Sequence, residues 1–337
     1  MSEMCRSVTP SFRRRMCTPV QSVLVVAWVT AVTLGFASIG DAQDLEFVLR
    51  GTVRTGSTMM VAQNARLAVA TARTLRIVDV SQPEVASVIS EYEFADNILG
   101  LTMDRDALYV ANSHEGFQRL DLSNPSTLVV SGVSPTRGQA IGIGVVGSHA
   151  FVADISVGFD VVRAVNDVAR VGEYLADGFP RGIAAAGDFV FLIDQPEGLI
   201  VLDVTRPEIP EPIGHLPLGG TRARVFVPQV LPGSPSPAVI CVASGRDGLQ
   251  VVDVSDPTAP TITARVPTIG APRGVVLQGK EVFVVSDGTL EVFDLSDPVQ
   301  PTRVASQSVG TDAGAVAVND ELIFVSVADE ILIFARS

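Results

Sequence analysis

Side chains able to do chemistry recur in this sequence at a regular spacing. Small polar residues stand at Thr71, Asn112, Asp154, Asp194, Ser244 and Ser286, each closing an apolar run, and Val327 holds the seventh such place. Neighbouring members lie 40 to 50 residues apart. If Asp154 and Asp194 converge with Asp96, their carboxylates offer a divalent metal the oxygen ligands that metal-assisted hydrolysis needs. Asn112, Asp154 and Asp194 are also candidates for hydrogen bonding a ligand directly. Arg181 and Arg273 sit in matching Pro-Arg-Gly triplets, and two such arginines could grip a carboxylate or phosphate. They would equally pair with Asp177 or another local carboxylate. The plainer reading of the polar series is that each member caps its own turn.

Other reactive types give no constellation. His114, His149 and His215 do not converge in the sequence pattern, so a histidine metal site is not expected. Cys241 has no histidine nearby and stands where related segments carry Phe191 and Phe283, which suits a small buried hydrophobe. The chain holds no Gly-x-Ser-x-Gly, His-Glu-x-x-His, phosphate-binding glycine loop or Cys-x-x-Cys. Its one tryptophan lies at position 28, ahead of the repeats, which argues against a quinone stacked on aromatic rings. No catalytic residue, metal ligand set or cofactor is therefore expected.

The elements that position these residues come from one repeated unit. Its clearest copy is Ser244-Gly-Arg-Asp-Gly-Leu-Gln-Val-Val-Asp-Val-Ser-Asp-Pro-Thr-Ala-Pro260. Leu249, Val251 and Val252 around the polar Gln250 suit a mostly buried strand. Gly248 accepts the positive φ of the turn before it, and Asp253-Val-Ser-Asp-Pro257 stops the strand after it. Thr74-Leu-Arg-Ile-Val-Asp79, Gly116-Phe-Gln-Arg-Leu-Asp121, Gly198-Leu-Ile-Val-Leu-Asp203 and Thr289-Leu-Glu-Val-Phe-Asp294 repeat it. Weaker copies end at Arg163 and Ala335, which makes seven copies 40 to 50 residues apart.

Each period has room for four strands. In the sixth copy they fall at Gly274 to Gln278, Glu281 to Ser286, Leu290 to Leu295, and Gln300 to Ser308, the last polar enough for a sheet edge. Four strands per 40 to 45 residues is the mark of a propeller blade, so the chain is expected to be an all-β, seven-bladed β-propeller of four-stranded antiparallel blades. The last copy stops after its third strand, and Leu45 to Val53 is a lone strand before the first copy. That N-terminal strand is expected to complete the final blade and latch the ring. The loop face, made of second-to-third-strand turns and blade crossovers, carries the polar series together with Asp96, Arg137, Asp177, Arg181, Arg222, Arg273 and Asp312. The Asp-x-Ser-Asp-Pro turns lie on the opposite face and lack the ligand spacing of a calcium hand. Pro228 to Ala238, rich in proline and serine, is expected to be a loop between the first two strands of the fifth copy.

Residues 1–42 read as a signal peptide, with Arg13 to Arg15 ahead of an apolar core from Val23 to Phe36 and a small residue at Ala42. An uncleaved anchor is the alternative, since Val20 to Ile39 is nearly long enough to span a bilayer. Residues 43–337 then form one domain, expected to be monomeric. The 337-residue chain carries 24 basic and 37 acidic residues, a net charge of −13. Without residues 1–42 the balance is 20 to 35, or −15. Such a surface disfavours nucleic acid and anionic lipid as partners, leaving contact with a membrane only through an uncleaved leader. Two of the three cysteines lie in the leader, so Cys241 has no partner for an intrachain disulfide.

At Leu249-Gln-Val-Val-Asp253, Leu199-Ile-Val-Leu-Asp203 and Leu75-Arg-Ile-Val-Asp79 the chain resembles the LVIVD-repeat proteins of bacteria and archaea. The resemblance implies an exported β-propeller of the periplasm, cell surface or extracellular space, and supplies no catalytic residues. The expected role is a non-enzymatic module that binds an envelope or extracellular protein or glycan through the loop face. A metal-dependent, lactonase-like hydrolase with its site at the channel mouth is the first alternative. A purely structural surface component is the second.

Overall fold

A computed structural model of the chain describes residues 47–57, 59–218, 229–230 and 239–336. The leader, Arg222 and most of Pro228 to Ala238 fall outside the described residues. All described residues belong to one unit, residues 42–337. It contains seven four-stranded antiparallel sheets, each built from consecutive strands except the last. The sixth blade shows the pattern: Pro272–Gln278, Glu281–Ser286, Thr289–Asp294 and Thr302–Ser308 run from the axis outward. The third and seventh blades are complete although Arg163 and Ala335 replace the anchor aspartate. A buried strand needs its apolar alternation more than it needs the polar residue that ends it.

The ring closes as the chain pattern requires. Phe47–Arg54 pairs with Glu330–Arg336 and becomes the outer strand of blade seven. Arg336 reaches further: it pairs with Glu281, donates to Gln278 Oε1 at 3.2 Å and lies 5.1 Å from the Phe283 ring centre. On the other side, Asn319 Nδ2 donates to the Asn64 carbonyl at 2.6 Å and ties blade seven to blade one.

The core is a series of hydrophobic layers between blades. Second and third strands are buried almost throughout, as in Val239–Ala243 and Glu281–Ser286. The inner strands converge near the axis, and at some places two backbones approach too closely for a side chain. A Cβ on Gly100 would lie 2.8 Å from Gly142 Cα of the next blade. Cys241 occupies the register place of Phe191 and Phe283 and is fully buried. Burial pushes its thiol up to about 12.

One sequence expectation is corrected here. Gln229–Val230, expected to lie in the proline-rich loop, is the inner strand of blade five and pairs with Cys241 and Ile240. With Pro228 before it and Pro232 close after it, this stretch offers no apolar alternation by which a strand could be recognised.

Candidate functional site

The loop face is built from two backbone segments per blade that must be held together. One is the turn after the second strand; the other is the crossover that enters the blade. The polar series joins them. In blade three, Gly138 N–H donates to Asp154 Oδ2, and Ser156 N–H donates to Oδ1 at 3.1 Å. In blade four, Gly178 N–H donates to Asp194 Oδ2 at 3.0 Å. Thr71 donates its hydroxyl to the Gly56 carbonyl, and Ala315 N–H donates to Ser326 Oγ at 2.8 Å. In blade two the Asn112 side-chain nitrogen donates to the Asp96 carbonyl at 2.6 Å, while its oxygen accepts from Gln118 Nε2 at 3.1 Å.

Five members of the series, Asn112, Asp154, Asp194, Ser244 and Ser286, lie buried inside the blades. Asn112 and Asp154 are 0 % exposed and Asp194 is 1 % exposed. Each of the three is engaged within its own blade. Among the described residues no three His, Cys, Asp or Glu side chains are grouped to hold a metal ion. Asp96 is engaged elsewhere, with His114 Nδ1 at 2.9 Å and with the Asn97 N–H at 2.7 Å. The His114 contact, followed by the Asn97 and His114 amides, holds the Asp96 carboxyl far below the usual carboxylate range.

Asp194 differs from Asp154 in one respect. Its Oδ1 is buried without a hydrogen-bond partner. Burial raises its pKa; the Gly178 and Gln195 amides pull it down, and the charges of Glu197 and Asp177 add to the rise. The ionised carboxylate is therefore held at a cost.

Arg181 and Arg273 do share equivalent places. Each is the extra residue of a β-bulge, between Pro180 and Gly182 and between Pro272 and Gly274. A bulge re-aims the side chain it inserts, and both arginines are exposed. Arg181 Nε donates to Gln195 Oε1 at 3.0 Å, and Arg273 lies 3.5 Å from Asp287. Each is thus engaged on its own blade. On the crossover that leads to Arg181 two apolar side chains stand in solvent: Leu175 is 59 % exposed and Phe179 57 %. Both belong to the crossover from blade three into blade four, between Ala169–Leu175 and Phe179–Ala186.

Sequence reasoning missed a second polar layer just beneath the loops. It occupies the third place of third strands such as Gly158–Arg163 and Thr289–Asp294. Asp160, 0 % exposed, accepts from Arg137 Nε and Arg170 Nη1, both at 3.1 Å. Glu173 sits 2.9 Å from each of those arginines and completes a four-charge network. Glu291, also 0 % exposed, accepts from Ile269 N–H at 2.8 Å and from Arg303 at 3.0 Å. Arg76 uses the same place to reach Glu91 at 2.7 Å. The signal was present as a polar residue inside the apolar run of five blades: Arg76, Gln118, Asp160, Gln250 and Glu291.

The family model for the LVIVD repeat matches residues 106–136, 177–211, 240–268 and 269–308. The chain carries LVIVD repeats. These segments fall on blades two, four, five and six, where the anchor aspartate is present. No curated protein sequence matches the chain. Among solved structures, the β-propeller domain of Myceliophteria thermophila Cps50 (Swd1) is similar at 14 % identity and TM-score 0.69, over 87 % of this chain and 100 % of that one. A chain of the mitotic checkpoint complex is similar at 12 % identity and TM-score 0.69, over 93 % of this chain and 99 % of that one. The computationally designed Ika8 protein is similar at 8 % identity and TM-score 0.61, over 86 % of this chain and 99 % of that one. At such identities the likeness concerns the fold alone.

Proposed function

We propose that this LVIVD-repeat propeller is an exported, non-enzymatic binding module of the cell envelope whose loop face takes a protein or glycan partner. The reading rests on the crossover between blades three and four. Leu175 and Phe179 stand exposed on the way to Arg181, on a scaffold made rigid by the buried Asp154, Asp160 and Asp194 contacts. Aromatic and arginine side chains on a rigid base are the usual anchors of binding surfaces. The aliphatic Leu175 on the same crossover favours a protein over a glycan, since sugars stack on aromatic faces and gain little from leucine.

The test compares the wild type with a Leu175→Ser/Phe179→Ser double variant and with Val299→Ser on the turn face as control. Val299 is 62 % exposed, so all three proteins should melt alike. Each is cross-linked in the envelope fraction, and captured species are identified. Loss of an anchor of this kind should weaken capture by about 30-fold, the equivalent of ~2 kcal/mol. A partner captured equally by all three proteins would refute the assignment. A captured polysaccharide would replace the protein by a glycan.

A further inference from the structure

Every blade ends in an outer strand whose far edge has no partner strand among the described residues. An open edge offers unpaired N–H and C=O groups to any second chain, and charge is the common guard against that. Six of the seven outer strands carry this guard. Blade one has Glu91 and Glu93, blade three Arg170 and Glu173, and blade four Glu211 beside Pro212. Blades five and six have Arg265 and Arg303, and blade seven has Arg50 and Arg54. Blade two has none: its outer strand, Val129–Ser134, reads Val-Val-Ser-Gly-Val-Ser. The gap is wider than the strand, since no residue from Leu122 to Thr136 is charged. A bulge interrupts all seven outer strands, so that second guard does not tell them apart.

The bare edge also shows apolar surface. Val129 is 53 % exposed and Val133 49 %, with the exposed Ser131 between them. Opposite the same place of the third strand, sister blades put Glu91, Glu173, His215 and Arg265 where blade two puts Val133. Arg119 of the neighbouring third strand reaches the outer strand and stays within the blade. Its Nη1 donates to Ser131 Oγ at 2.6 Å, and that hydroxyl donates to the Arg119 carbonyl at 3.2 Å.

We infer that the outer strand of blade two is a self-association edge, where two copies of this chain join antiparallel about a two-fold axis near Ser131. Two features select a second copy as the occupant. The exposed row Val129, Ser131, Val133 reads the same in both directions, so an antiparallel copy sets valine against valine and the serine against itself. The chain is also acidic, with a net charge of −13. Two such copies repel where charged surfaces meet, and this is the outer strand to which neither brings a charge. A foreign partner would gain from opposite charge, which the other six edges offer it. Pairing joins two four-stranded blades into one eight-stranded sheet. Because the paired strands run in opposite directions, the two loop faces point opposite ways. The inference departs from the monomer expected from the sequence and does not depend on the loop-face reading.

Two short edges bury less than a standard interface of about 1,600 Å², so the dimer should be weak, with a dissociation constant on the order of 10–100 µM. The chain is purified from the exported fraction and its mass followed by sedimentation velocity from about 1 to 500 µM. The wild type should pass from monomer to dimer across that range. Val133→Lys restores the charge that guards the sister edges and should weaken dimerisation at least about tenfold. Ser306→Lys, at the same place on blade six, should leave it unchanged. Both places are exposed, so neither substitution should move the melting temperature. Ser131→Cys should form a disulfide with its own copy under mild oxidation, while Ser306→Cys should not; Cys241 is buried and does not compete. Rising salt should tighten the dimer by screening the two acidic copies from each other. Should Val133→Lys fail to fold, the wild-type concentration series and the cysteine pair still decide. A monomer at every concentration, a dimer that Val133→Lys leaves intact, equal cross-linking through 131 and 306, dissociation by salt, or an unrelated protein seated on this edge would each overturn the inference.

Discussion

Asp154 and Asp194 occupy the same place in adjacent blades, accept from equivalent glycine amides and are both buried, yet removing their charges should move stability in opposite directions. Asparagine has nearly the shape of aspartate, so packing terms cancel in Asp154→Asn and Asp194→Asn. At Asp154 both oxygens accept a main-chain N–H. Asparagine would turn an NH2 toward one of those donors and lose a charge-assisted bond, at a cost of about 2 kcal/mol. At Asp194, Oδ1 has no partner, and a buried unmet charged acceptor costs ~1–3 kcal/mol. Asparagine keeps the Gly178 bond and sheds the buried charge, giving up the pull of the Gln195 amide on that charge. Allowing for the new amide's own unmet hydrogens, the net gain is about 1 kcal/mol. In a domain of this size that is a rise of roughly 2 °C in melting temperature, against a fall of roughly 5 °C for Asp154→Asn. The pH dependence gives a second check. Burial raises the folded-state pKa of Asp194 above its unfolded value, so the native state holds that proton longer. The cost of the charge is then absent below about pH 4 and complete once pH has passed the raised value. The advantage of Asp194→Asn should therefore be present at pH 7.5 and vanish near about pH 4. Melting followed by circular dichroism at both pH values decides the matter. Destabilisation by both substitutions at pH 7.5, or a gain at Asp194 that persists in acid, would refute the account of the orphan oxygen.

Ring closure should depend on Arg336 far more than on Arg54. Arg336→Ala strands Glu281 in a half-buried setting and should cost about 2–3 kcal/mol in chemical denaturation, whereas the Arg54–Glu330 pair, with Arg54 87 % exposed, should cost under about 0.5 kcal/mol. The Cys241 thiol should resist alkylation in the native protein and react at once in denaturant, because burial leaves almost no thiolate at neutral pH. Asp160→Ala should be the most damaging polar change on the loop face, about 3 kcal/mol or more in denaturant titrations, since it leaves Arg137 and Arg170 facing each other without their shared carboxylate. The turn aspartates should act oppositely to Asp194 in acid. The Ser81 and Thr205 contacts hold Asp79 and Asp203 below the usual range, so their stabilisation is present above about pH 4 and is lost as pH falls toward the depressed values, and Asp203→Asn should flatten that limb of the melting profile.

The blade count, the strand order and the N-terminal latch were legible because each follows from periodicity. Apolar alternation in Leu249-Gln-Val-Val-Asp253 marks a third strand, and its return at Leu290 or Leu199 needs no tertiary information. Where the pattern weakened, at Arg163 and Ala335, the sheet still formed, since the buried alternation of Gly158–Arg163 and Glu330–Arg336 was intact. The strand residues Gln229–Val230 were not legible, because the prolines on either side of them, Pro228 and Pro232, read as loop and hide the pairing with Cys241 and Ile240.

The polar residues show a different limit. Asn112, Asp154 and Asp194 were visible as a series, but a series at the same height in seven blades serves equally to line a channel or to fasten seven loops. What separates the two uses is the direction of each oxygen, and that is set by partners 16 residues upstream, such as Gly138 and Gly178. Spacing alone points to neither. Asp160 and Glu291 were hidden for the converse reason: one polar residue in an apolar strand resembles an interruption until the arginine facing it from the outer strand is placed. The close fit between an outer strand and the next blade had a signal that could have been read: in five blades a small residue stands seven places after a turn proline, as Gly132 after Pro125 and Gly214 after Pro207, and a Cβ on Gly214 would meet the Pro257 carbonyl of the next blade. In this fold the repeat is legible blade by blade, whereas the loop face is built from pairs of segments, and a residue's use there follows from the segment it is paired with.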